Sequence, residues 1–200
     1  MSSVAVLNKH QQKSEATRRK LIASARRVFA RDGFEAARIE DIAAHAGHTR
    51  GAFYANFDSK ESLFFALLEQ QASERVDEVT ARLQGCESVA EKIKTLREYY
   101  LERASDRQWA MLMLEFKLFA VRRPRLRARL VRTHGDIRVA MKSQTLRSLN
   151  GDFEKTEDAT WLALEAVMSG LVLQHAYDPD GLPEEKLRSK LGQIFDSVTS

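Results

Sequence analysis

The 200-residue chain carries a single cysteine, Cys86, so it forms no internal disulfide and offers no CxxC pair for a metal or a redox step. Only three prolines and nine glycines punctuate it. No apolar run approaches the roughly 18 residues of a membrane helix, and MSSVAVLNKHQQK lacks the apolar stretch and cleavage site of a signal peptide. A cytoplasmic protein without a membrane partner is expected. Nucleophile elbow, Walker loop, HExxH and glycine-rich cofactor motif are all missing, which argues against an enzyme and leaves no cofactor to expect.

What is present is ordinary folded composition, 44% hydrophobic and 30% charged. Charge is uneven. Residues 1–57 hold ten Lys/Arg against five Asp/Glu, and residues 58–200 hold 22 against 23. A basic head on a near-neutral body fits a polyanion partner for the head, although a solvated basic face has the same signature.

Apolar residues recur at three- and four-residue steps nearly throughout, which predicts an all-α fold of about nine helices. Leu21, Ala25, Val28 and Phe29 mark a first helix from near Ser14 to Asp32-Gly33, after which Phe34 folds back. Ile39, Ile42, Ala43 and Ala46 mark a short second helix ended by Gly47, and a third runs from Thr49 to about Asn56. Leu63, Leu67, Val76, Val79 and Leu83 form one stripe of a long fourth helix from Asp58 to Gly85. Val89, Ile93, Leu96 and Tyr100 mark a fifth, and Trp109, Leu112, Met113, Phe116 and Phe119 a sixth that stops before Pro124. A seventh follows from Pro124. Asn150-Gly151 reads as a turn and Asp152 as the cap of an eighth helix, and the ninth starts at Pro183 with Glu184 and Glu185 in its first turn. The expected organisation is a flexible arm over 1–13, a head over 14–57 and a body over 58–200, with 58–84 as the linking helix.

The stretch Thr49-Arg-Gly-Ala-Phe-Tyr-Ala-Asn-Phe-Asp-Ser-Lys60 places cations where helices disfavour them. Thr49 caps one helix, and Asp58 is expected to cap the next with Glu61 closing a capping box. Arg50 and Lys60 then fall in first turns, where a cation loses about 0.3–1 kcal/mol relative to an anion. A bound phosphate reverses that sign. The segment Ile39 to Tyr54 also has the layout of a helix-turn-helix DNA reader. Ile42, Ala43, Phe53 and Phe57 face inward, and Arg50 and Tyr54, four residues apart, share the outer face. Arginine can fork onto a guanine edge, the tyrosine hydroxyl can donate to a phosphate, and Gly51 permits close backbone approach.

Residues 17–68 resemble the DNA-binding domain of the TetR family of bacterial repressors. The likeness rests on Thr17-Arg18, Phe29-Ala-Arg-Asp-Gly-Phe34, Asp41-Ile-Ala43, Ala46-Gly47, Tyr54, Phe57 and Ser59-Lys-Glu61. The resemblance implies that Thr49, Tyr54 and Lys60 hold phosphates of double-stranded operator DNA, while Arg50, Gly51, Ala52 and Asn56 face bases or nearby backbone. It further implies a homodimeric repressor released by a small-molecule ligand; the alternative is an architectural DNA binder without an inducer. Two positions depart from the family pattern. Arg38 stands where a capping threonine is usual, with a phosphate or plain solvent within its reach, and His48 replaces a small aliphatic residue. His45 and His48 have the spacing of a metal pair, but no third ligand completes it, so no metal is expected.

Three further features belong to the body. The eighth helix, WLALEAVMSGLVLQHAY, is apolar nearly all round and must bury more than one face, which points to a second copy of the chain. Trp161, Ala166, Gly170, Val172, Leu173, Leu191 and Phe195 are the candidate interface residues. Tyr99, Tyr100, Trp109, Met113, Phe116, Met141, Met168 and His175 are candidate walls for a hydrophobic or aromatic ligand, arginines could serve an acidic one, and such stripes also serve as plain core. Six arginines in RRPRLRARLVR, residues 122–132, read as a solvated helix face.

Overall fold

The computed structural model describes residues 9–104, 106–148 and 158–199, and among these it has nine helices and no strand. They fall into two compact units, Met1–Gln71 and Ala72–Ser200.

The first unit contains α1 (Lys9–Ala36), α2 (Ile39–His45), α3 (Arg50–Tyr54) and the start of α4 (Lys60–Gln84). Helix α1 begins five residues' worth of sequence ahead of the expected Ser14, at Lys9, and residues 1–8 of the expected arm lie outside the described residues. The expected break is present at Gly33, whose φ of 78° and ψ of 170° belong to backbone space that only glycine enters readily. The chain turns there and returns Phe34 to the core, 5.5 Å from the ring of Phe29 and 5.4 Å, edge-on, from Phe64. Leu21, Ala25, Val28, Ile42, Phe53, Leu63 and Leu67 complete this core. Each of the larger side chains contributes about 1.5–3 kcal/mol of burial.

Helix α2 closes in a Schellman motif: Gly47 N donates to Ala44 O and His48 N to Ala43 O, both at 2.9 Å, with Gly47 at φ 73°. That turn aims α3 across α2. The start of α4 differs from expectation. The reciprocal cap is Ser59 with Ser62, in which Ser62 N donates to Ser59 Oγ and Ser59 N to Ser62 Oγ, each at 3.1 Å. Asp58 therefore sits one residue before the cap, and the short Ser62 hydroxyl rather than the Glu61 carboxylate reaches back to the cap's N–H.

The second unit contains the rest of α4, α5 (Val89–Ala104), α6 (Arg107–Val121), α7 (Pro124–Ser148), α8 (Asp158–Tyr177) and α9 (Glu184–Thr199). Ser88 and Glu91 form a capping box on α5, and Asp106 caps α6 by accepting from Trp109 N at 3.0 Å. The Asn150-Gly151 turn and Asp152 cap lie outside the described residues. One apolar cluster joins Val79, Leu83, Leu96, Tyr99 and Phe195, and another joins Leu101, Leu187 and Leu191. From α6, Leu112, Met113, Phe116 and Ala120 are buried. All six arginines of residues 122–132 are exposed while Leu130 is buried, as a solvated face requires. Among the described residues no helix is long and apolar enough to cross a membrane.

Candidate nucleic-acid interface

Three links to α1 and a buried pair of rings hold α2 and α3 in place. Ser24 Oγ donates to Ile42 O at 2.7 Å, Arg18 donates to Asn56 O at 3.3 Å and lies 4.4 Å from the Phe57 ring centroid, and Phe53 packs on Phe57 at 5.8 Å. Ser14 Oγ reaches Asn56 Oδ1 at 3.4 Å. The Asn56 amide also donates to Ala52 O at 2.8 Å. Asn56, expected to face the bases or nearby backbone, is thus half-buried and tied to α1 and to α3.

What remains outward is compact. Thr49 caps α3 by accepting from Ala52 N at 3.2 Å, as expected. Arg50 and Tyr54 follow on the exposed face, with the guanidinium 5.5 Å from the Tyr54 ring centroid and Nη2 3.5 Å from its hydroxyl. Across the turn, Arg50 Nη1 is 2.9 Å from Glu40 Oε1, and both side chains are exposed. Tyr54 first and Glu40 second raise the Arg50 pKa, so the guanidinium stays charged. Gly51 is exposed and a Cβ there would meet only Thr49 Oγ1 at an ordinary 3.7 Å, so it is space-permissive rather than required by packing. Ala52 is half-buried. Arg38 occupies the α2 cap position in extended conformation without a side-chain cap bond, leaving its long arm at the surface.

Lys60 has an intramolecular explanation. Its Nζ donates to Glu35 O and Ala37 O, both at 2.8 Å, and stands 4.9 Å from the Phe34 ring centroid. These two carbonyls, which follow the break at Gly33, supply the negative partner that the first turn of α4 denies. His48 is also drawn inward: its Nε2 is buried without a hydrogen-bond partner among the described residues.

Residues 21–67 match the family model "Bacterial regulatory proteins, tetR family", and residues 89–199 match "BetI-type transcriptional repressor, C-terminal". The chain belongs to the TetR family. It is a DNA-binding transcriptional regulator, and its family is one of regulators rather than enzymes. The HTH-type transcriptional repressor AcnR of Corynebacterium efficiens is 25% identical over 185 residues, spanning 91% of this chain and 92% of that protein. Among solved structures, a putative regulator from Saccharomonospora viridis in complex with choline shares the fold with a TM-score of 0.67 at 23% identity, covering 90% of this chain and 95% of that one. FadR of Bacillus subtilis in complex with stearoyl-CoA does so at 0.66 and 16%, covering 91% and 97%.

In this TetR-family body the candidate ligand residues are distributed over both apolar clusters and the buried face of α6. Tyr100 and Met141 pack on the first apolar cluster, Met168 packs on the second, and Met113 and Phe116 are buried in α6. His175 is joined through Nδ1 to Leu182 O at 2.8 Å. Trp109 is half-buried with the Arg75 guanidinium 5.9 Å from its ring centroid.

The candidate interface residues also divide. Val172, Leu191 and Phe195 were expected at a contact with a second copy, but they are buried in the chain's own core, at 5%, 0% and 5% exposure. Ala166, Gly170 and Leu173 are exposed on α8, together with Leu162 and Val167. A helix this apolar satisfies its inner face with Val172, and its outer face is what remains. The side chain of Trp161 lies outside the described residues. Sequence reading passed over Arg75 and Arg103, although Arg75 stands four residues before Val79 and Arg103 four after Tyr99, positions that share the inward stripes of α4 and α5.

Proposed function

We propose that the chain is a homodimeric repressor whose α3 face reads a palindromic operator and whose body binds a small molecule that releases the DNA. The observation that carries the reading is the outward pair of Arg50 and Tyr54 beside the Thr49 cap. Arg50 reads a base edge, and Tyr54, Thr49 and the α3 backbone at Gly51 and Ala52 hold the sugar-phosphate chain. Arg38 adds a phosphate contact. Asn56 and Lys60 hold the reading helix and α4 in position through their bonds to α1, α3 and the α1–α2 link.

Dimerisation uses the outer face of α8, where Leu162, Ala166, Val167, Gly170 and Leu173 form a continuous apolar strip. A Cβ on Gly170 meets nothing within 4 Å among the described residues, so the roughly 1 kcal/mol that glycine costs inside a helix finds its packing return in a second copy. Two symmetric heads require a two-fold symmetric operator with half-sites about one DNA turn, or a multiple, apart. Ligand binding is supported by two structural neighbours, one in complex with choline and the other with stearoyl-CoA. Helix α4 begins in the first unit and ends in the second, which gives a ligand in the body a covalent route to the head.

The test is a footprint and mobility-shift titration on palindromes in the DNA flanking the gene. Selective protection of two half-sites by a dimer supports the reading. Uniform, salt-controlled binding to any duplex overturns it in favour of an architectural role.

A further inference from the structure

In the second unit Arg75, Arg103 and Arg138 each have a buried Nε without a hydrogen-bond partner among the described residues, and the first two both act on one buried phenol, that of Tyr99. Arg75 on α4 and Arg103 on α5 are half-buried, and neither has an ion pair with a carboxylate among the described residues. The hydroxyl of Tyr99 is likewise buried without a partner; burial raises its pKa, and the charges of Arg103 and then Arg75 oppose that. The Arg103 guanidinium is 6.0 Å from the Tyr99 ring centroid, and Arg75 is 5.9 Å from that of Trp109. Arg82, a neighbour on α4 that stands 5.2 Å from the same Tyr99 ring, shows what a compensated arginine looks like here: Glu78 and Glu102 hold it at 2.9 and 2.8 Å. Nothing comparable serves the other two. Asp106 helps Arg75 only at longer range, and its Oδ1 already caps α6.

Leaving such groups bare is costly. A buried donor without an acceptor forfeits about 1–3 kcal/mol, more when it is charged, and two guanidiniums close enough to repel add to it. Burial first, and the charge of Arg103 second, push the Arg75 pKa down. Arginine does not escape by losing its proton, so the remaining remedy is an anion from outside. The guanidinium fork and a phenol hydroxyl are together matched to a planar oxyanion, and the rings of Trp109 and Tyr100 offer apolar surface beside it.

We propose that Arg75, Arg103 and the Tyr99 hydroxyl form the head-group site of the regulator's ligand, and that this ligand is an amphipathic monoanion with a carboxylate head and an apolar body. The assignment deepens the reading of a ligand-binding body and rests on it. It excludes a quaternary ammonium ligand, because two uncompensated guanidiniums repel a fixed cation.

Thermal unfolding and calorimetric titration of the full-length chain without DNA test the site. The probes are octanoate and benzoate, set against octanol, tetramethylammonium and inorganic phosphate. The carboxylates are expected to raise the melting temperature and to bind, octanol and tetramethylammonium to leave it unchanged, and phosphate alone to bind more weakly because it lacks the apolar body. R75M and R103M should each weaken octanoate by about tenfold or more, the equivalent of one charge-assisted bond. The same variants should melt no lower than the parent when no anion is present, since each removes an uncompensated charge. R103K keeps the charge, protects against a folding failure, and should still lose affinity with the fork. Absence of carboxylate binding overturns the assignment, and so does binding that R75M, R103M and R103K all leave unchanged. Equal stabilisation by phosphate and octanoate overturns the amphipathic part and makes the site a plain oxyanion site. Arginine-dependent octanoate binding that fails to release operator DNA leaves the site standing and overturns the regulatory reading instead.

Discussion

Arg50 Nη1 stands 2.9 Å from Glu40 Oε1, so the residue proposed to read a base is held by an acid on the neighbouring helix before DNA arrives. Both groups are exposed, and the pair itself is worth little in water. Its effect is orientation, at the cost of a carboxylate near the incoming phosphates. Glu40→Gln should therefore tighten binding to all duplexes modestly, by less than about 1 kcal/mol, and should flatten the preference for the cognate site. Arg50→Ala should cost about 1–3 kcal/mol on that site and relax selection at one base pair. Mobility shifts on cognate and scrambled duplexes at several salt concentrations separate the two, and unchanged selectivity in both variants would refute the role of the pair.

Lys60 leads to a different expectation. Because its ammonium satisfies Glu35 O and Ala37 O, Lys60→Met should lower the stability of the DNA-free protein by about 1–2 kcal/mol, a few degrees in melting temperature. A purely phosphate-binding lysine would instead leave the DNA-free melting point where it is and reduce the salt dependence of binding by about one counterion. Calorimetry without DNA distinguishes the two.

His134 supplies a pH dependence. Burial, then Lys117, holds its imidazole below the ordinary 6.5; Glu165 opposes this and Arg138 adds to it. The unfolded chain therefore takes the proton first, so the stability contribution is intact above about pH 6.5 and is lost as the pH falls below it. His134→Gln should shrink the difference between urea midpoints at about pH 7.5 and about pH 5.5. Parallel midpoints in parent and variant would remove His134 as the source.

The helices were legible because the 3.6-residue period and its breakers are local properties. Gly33, Gly47 and Pro124 end or begin elements where the sequence says they should. Choices between near-equivalent side chains were not legible. Ser59 and Ser62 win the α4 cap over Asp58 and Glu61 by geometry one residue wide. Likewise, periodicity identified α8 as apolar on all sides but could not divide Val172 from Leu173, whose assignments depend on where α5, α6 and α9 lie. The partners of Lys60 and Asn56 are more than twenty residues away in sequence, beyond any local pattern.

Helix α4 donates Leu63, Phe64 and Leu67 to the first unit's core and Val79 and Leu83 to the second's. The boundary between the units therefore falls inside the residues of α4 rather than in a loop of the sequence. A head excised at Phe57 would leave Phe29 and Phe34 facing water where Phe64 belongs, and an autonomous head must carry α4 at least through Leu68. Cutting there also leaves the body with a frayed stub in place of its first helix, so the two halves of this chain are separable on paper more cleanly than in a test tube.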